Sequence, residues 1–117
     1  MKDKKAQKMI DAIIDEVNKN GISVEENISQ LKSLRKYAVE DKEPVIAKAL
    51  RLAYEHLEEN ESFIIPIPTD EPLEGEEDDV QMITGDESFV YFMNLIKNSS
   101  NKINIQELRE YNRLLEL

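Results

Sequence analysis

Apolar residues recur along most of this chain with a helical period. Ala6, Met9, Ile10, Ile13, Ile14 and Val17 fall three and four positions apart, so residues 3–20 are predicted to form an amphipathic helix with one apolar stripe. Gly21 follows as the residue that closes such a helix in the left-handed region. Ser23, with Glu26 three positions on, reads as a capping box in which hydroxyl and carboxylate each accept an orphan backbone N–H. A second helix then runs to about Glu40, with Ile28, Leu31, Leu34 and Ala38 facing inward and Lys32, Arg35 and Lys36 on its outer side. Asp41-Lys42-Glu43 is a turn, and Pro44 suits the first position of a third helix ending near Asn60. Ile46, Leu50, Ala53 and Leu57 form its stripe, with Ala49 beside them. Short connections predict antiparallel neighbours, hence a three-helix N-terminal bundle.

The pattern breaks after Asn60. Ser62 to Pro68 cannot be helix, because Pro66 and Pro68 force extended neighbours. Phe63, Ile65 and Ile67 share one face there, as in an edge strand or a polyproline-like arm laid on the helices. Thr69 to Asp79 (TDEPLEGEEDD) reads as loop by composition. Val80, Met82 and Ile83 form a second short apolar piece that could pair with 63–67 as a β-hairpin. Thr84-Gly85-Asp86 is a turn and cap, and a fourth helix from about Glu87 to Asn98 is apolar nearly all round. Asn104 with Glu107 resembles a further cap, and the last helix carries Ile105, Leu108, Tyr111 and Leu115 inward. The expected fold is therefore all-α or nearly so: one domain over 1–117, about five helices, with a C-terminal helical hairpin joined to the bundle across an extended acidic crossover at 61–88. A connection of this length is unusual in a compact domain and marks the crossover as a functional or a disordered segment.

Composition sharpens one part of that picture. The 117-residue chain has a formal net charge of −10. Residues 61–88 carry ten acids and no base, and the rest of the chain holds 15 acids against 15 bases. One acidic insert thus sits on a charge-balanced helical body. Cysteine is absent, which excludes disulfides and thiolate metal sites. The basic N-terminus is not followed by the apolar stretch of about 7–15 residues that a signal peptide needs. The longest apolar runs, 63–65 and 89–93, fall far short of the ~20 residues of a membrane span. A cytoplasmic protein without a membrane partner is the expectation.

Candidate chemistry is sparse. No phosphate-cradling glycine loop and no nucleophile elbow occur in a chain with three glycines. His56 is the single histidine; with Glu59 and Asn60 on the same face, it lacks the further ligands or nucleophile that a zinc or catalytic site requires. It reads as a surface histidine near a helix C-terminus, where the positive form suits the helix dipole. Lys97, Lys102, Arg109 and Arg113 could be the phosphate contacts of a helix-turn-helix, but the C-terminal segment carries too little excess positive charge for DNA, and no nucleic-acid partner is expected. No cofactor or metal is predicted; the acidic run lacks the calcium-loop spacing.

Two features remain as candidate contact sites. One is the acidic run Asp70, Glu71, Glu74, Glu76, Glu77, Asp78 and Asp79, placed to dock on a basic partner or else simply to solvate the chain. The other is the aromatic set Phe89, Tyr91 and Phe92, with Phe63 and the Pro66/Pro68 arm, which serves either as interface anchors or as core. Together they predict a non-enzymatic protein–protein interaction or regulatory domain whose partner is another protein or a second copy of itself. The alternative is an acidic inhibitor, of immunity, antitoxin or nucleic-acid-mimic type, that blocks a basic active site. An enzyme of unknown class ranks third.

Overall fold

A computed structural model of the chain describes residues 1–68 and 85–117, and within them the secondary structure is five α-helices and no strand. These are α1 (Lys4–Asn20), α2 (Val24–Glu40), α3 (Pro44–Asn60), α4 (Asp86–Lys97) and α5 (Lys102–Leu115). The all-helical expectation holds. The hairpin envisaged between 63–67 and 80–83 falls partly outside the described residues, as does the acidic run 70–79.

The caps show where local rules applied. Asp3 accepts the N–H groups of Lys5 and Ala6 at 2.8 and 3.0 Å, which opens α1. Gly21 closes it with its N–H on the Val17 carbonyl at 2.8 Å. Its φ of 80° and ψ of 177° lie in mirror-extended rather than left-handed helical space, so glycine is required there but not for the predicted conformation. At α2 the predicted capping box is not formed. Ser23 makes no side-chain cap; its own N–H donates instead to Asn27 Oδ1 at 2.9 Å, one position beyond Glu26. At α5 the cap is Asn101, which accepts from the Ile103 N–H at 2.8 Å. Asn104, expected to cap, lies inside the helix and donates back to the Asn98 carbonyl at 3.0 Å.

Packing also differs from a self-contained N-terminal bundle. α2 lies along α3, α3 on α5, α5 on α4, α4 on α1, and α1 on α2, which makes a closed circuit. α1 has no comparable contact with α3, because the C-terminal pair occupies that side. The four stripes predicted for α1, α2, α3 and α5 supply one continuous core, with Ala6, Ile10, Leu31, Leu34, Leu50, Leu57 and Leu108 fully buried.

Phe63 occupies the middle of that core. The segment after α3 drops this ring, with no exposed surface, among Phe89, Phe92 and Tyr111, at centroid separations of 5.4, 5.7 and 6.2 Å. Such offset and edge-on ring pairs add about 0.5–1.5 kcal/mol each beyond their buried area. The Phe63 carbonyl accepts from the Gly85 N–H at 2.7 Å, which joins the segment after α3 to the residue before α4. Asp86, the next residue, accepts the Ile22 N–H at 3.1 Å and ties the start of α4 to the turn between α1 and α2.

Candidate interaction face

The aromatic contact surface expected on α4 is corrected by burial. Phe89 and Phe92 have no exposed area, since one side of α4 meets α1 while another meets α5. Tyr91 is half-buried and donates to Glu107 Oε2 at 2.6 Å. Behind it, the Tyr111 hydroxyl shares a buried hydrogen bond of 2.9 Å with Ser88 Oγ, and burial drives its pKa far above the ordinary tyrosine value. Phe89, Phe92 and Tyr111 are core, and Tyr91 packs against it half-buried.

His56 is also corrected. Rather than standing free on the surface, its ring packs edge-on to Phe63 at 5.7 Å, and its Nε2 accepts the Ile64 N–H at 3.1 Å. An Nε2 that accepts a backbone N–H carries no proton itself, and the Asn60 side-chain amide lies 3.2 Å from Nδ1 on the other side of the ring. Burial lowers the histidine pKa from 6.5, and the Glu59 carboxylate pulls the other way. His56 therefore fastens the base of the crossover in its neutral form. Among the described residues, no group of three or more His, Asp or Glu side chains is arranged to hold a metal ion, and no helix is long and apolar enough to cross a membrane.

A different surface emerges when the helices are assembled. Three shallow depressions adjoin one another along α2, α3 and α5. The middle one, of about 610 Å³, has a floor of Ala38, Val39, Pro44 and Ala47, with Arg35, Lys42, Lys48 and Arg51 around it and Glu43 at one edge. On one side it shares Arg35 and Val39 with a depression of about 540 Å³ that adds Lys32, Lys36, Glu40 and Tyr54. On the other it shares Pro44 and Lys48 with one of about 450 Å³ that adds Val45, Arg109, Asn112, Arg113 and Glu116. Eight of the chain's 15 lysines and arginines line this band, against three glutamates.

The band follows from spacing within each helix. Lys32, Arg35, Lys36 and Val39 recur three and four positions apart on α2; so do Pro44, Ala47, Lys48 and Arg51 on α3, and Arg109, Asn112 and Arg113 on α5. Each set edges its helix's buried stripe, and packing α2 on α3 and α3 on α5 lays the edges side by side. The helix-turn-helix candidates separate: Arg109 and Arg113 join this band, while Lys97 pairs with Asp11 of α1 at 2.6 Å.

Half of these cations carry a carboxylate partner. Lys32 pairs with Glu58 at 3.7 Å, Lys48 with Glu116 at 3.0 Å, Arg51 with Glu55 at 3.2 Å and Arg113 with Glu110 at 2.9 Å. All four pairs are solvent-facing, where each is worth only about 0–1 kcal/mol and is readily exchanged. Arg35, Lys36, Lys42 and Arg109 have no ion pair among the described residues; the Arg35 Nε donates to the Ala47 carbonyl at 3.3 Å, which fixes its guanidinium at the groove. Val39, on the floor of the middle depression, is 54% exposed.

The turn inside the groove is strained. Lys42 has a φ of 56°, while the Glu43 N–H reaches the Ala38 carbonyl at 2.9 Å and the Lys42 N–H reaches that of Val39 at 3.1 Å. This is the Schellman closure, whose left-handed position normally holds glycine. Lysine there costs about 1–2 kcal/mol. No family model matches the sequence, nor does any curated protein or solved structure, so the face is read from its own chemistry.

Proposed function

We propose that this chain is a non-enzymatic protein–protein interaction domain and that it binds through the α2–α3–α5 face. The observation that carries this reading is the gathering of eight of the 15 lysines and arginines, against three glutamates, around the exposed Val39 and Pro44 on one face of the helical body. An apolar floor with a charged rim is the anatomy of a recognition surface: the floor supplies affinity through desolvation, and the rim supplies orientation and rate. The strained Lys42 adds to it. Its side chain stands at the groove, where the glycine usual at such a turn would bring no charge.

A photo-reactive side chain at position 39 tests the reading, with the same group at Ile103 as control, because Ile103 is 70% exposed but lies outside the groove. In cells that make the protein, a discrete adduct at position 39 and none at position 103 is the expected outcome. Equal labelling at both positions sinks the reading. The acidic-inhibitor alternative rests on the ten acids of 61–88. It gains weight if neutralising 70–79, rather than altering the groove, abolishes the adduct.

A further inference from the structure

Building on the interaction reading above, we infer that the occupant of the groove is an acidic segment of a partner protein, with an apolar side chain at its centre and carboxylates on both sides. The apolar part of this specification comes from the middle depression. Val39 and Pro44 are the exposed part of a floor whose Ala38 and Ala47 are buried, and a hydrocarbon side chain laid on those two exposed residues gains from their desolvation. The charged part comes from position. Arg35 and Lys42 stand at this depression with no carboxylate of their own among the described residues, and Lys36 and Arg109 stand likewise in the two neighbours. Anionic groups before and after the central side chain therefore meet cations in either direction along the band.

The same residues argue against a polyphosphate. Glu40, Glu43 and Glu116 are interspersed among the cations, one in each depression, and a backbone with a charge at every step must pass over all three. A peptide places its carboxylates selectively and can accept hydrogen bonds from arginine in bidentate fashion. The floor also offers nucleic acid little to stack on, since Tyr54 is the single aromatic lining the band and its ring already holds the Lys32 ammonium at 5.3 Å.

Fluorescence anisotropy of the full chain with three labelled probes tests the inference. One is a peptide of about a dozen residues with leucines at its centre and glutamates to either side; the second has glutamine for each glutamate; the third is an oligothymidylate. The acidic peptide is expected to bind at least about tenfold tighter than its glutamine twin and to weaken steeply with salt. The paired reversal Arg35→Glu with Lys42→Glu is expected to lower its affinity by roughly tenfold or more, with helicity retained. Val39→Asp should lower it as well, through the floor. Equal affinity for both peptides, tighter binding of the oligonucleotide, or indifference to the charge reversal would each overturn the inference. The interaction reading fails separately: a position-39 adduct whose partner segment is neutral leaves that reading standing and removes this one.

Discussion

The aromatic centre and the cationic face are built from equally ordinary helical patterns, yet they spend their residues in opposite ways. At the centre, Phe63, Phe89, Phe92 and Tyr111 are fully enclosed. At the face, side chains from three helices stop short of the core and leave Val39 bare between arginines and lysines. In this chain the large aromatics hold the fold, and the face proposed for recognition is made of short aliphatic and long basic residues. Aromatic content in a sequence is thus a poor pointer to a contact surface when a single extended segment can carry one ring into the interior and gather the others around it.

The sharpest way to break the contrast is at its centre. Phe63→Ala removes the ring that touches His56, Phe89, Phe92 and Tyr111. It should cost about 3–5 kcal/mol, read as a shift in the denaturant midpoint. A loss under about 1 kcal/mol would show that the segment after α3 is not part of the core.

A smaller effect is expected from His56. Its folded-state pKa lies below the ordinary 6.5, so the unfolded chain takes up the proton first as pH falls. The contribution is complete above that ordinary value and is lost as pH descends through it toward the lowered folded value. Denaturant midpoints should therefore drop in mildly acidic buffer, and the His56→Phe variant should lose that part of the pH dependence. An unchanged profile would mean that the bond from the Ile64 N–H does not hold the ring neutral.

The smallest change should be a gain. Lys42→Gly relieves the left-handed strain and should leave the protein as stable as before or up to about 1 kcal/mol more stable. On the cationic face the same substitution should weaken the acidic peptide. Opposite signs in a thermal melt and in anisotropy would separate what position 42 does for the fold from what it does for binding. Matched signs would erase the distinction between the two regions.

Much of the body was legible because core-facing stripes are local. The boundaries of α3, the burial of Leu31, Leu34, Leu50 and Leu57, and the break at Pro66 all follow from residues a few positions apart. Cap chemistry was less legible. Ser23 and Glu26 satisfy the pattern, but Asn27 competes for the same N–H and wins. The cationic face was illegible for a different reason. Counted along the chain, each helix is nearly neutral, and the excess appears only when edges of α2, α3 and α5 are set side by side. Its trace in the sequence is there all the same: bases at spacings of three and four on one edge of each stripe. His56 could not be read because its partner, the Ile64 N–H, is a backbone group with no sequence signature.

The hydrogen bond between Phe63 and Gly85 bears on the connection between α3 and α4. It joins the segment that follows α3 to the residue that precedes α4, so the two ends of the connection are held near each other within the described residues. Closing a longer connection costs only about 0.6 kcal/mol per doubling of its length. The ends of the stretch between Phe63 and Gly85 are thus held together by a bond the stretch does not itself supply, and a change in its length is a test of how far the body depends on it.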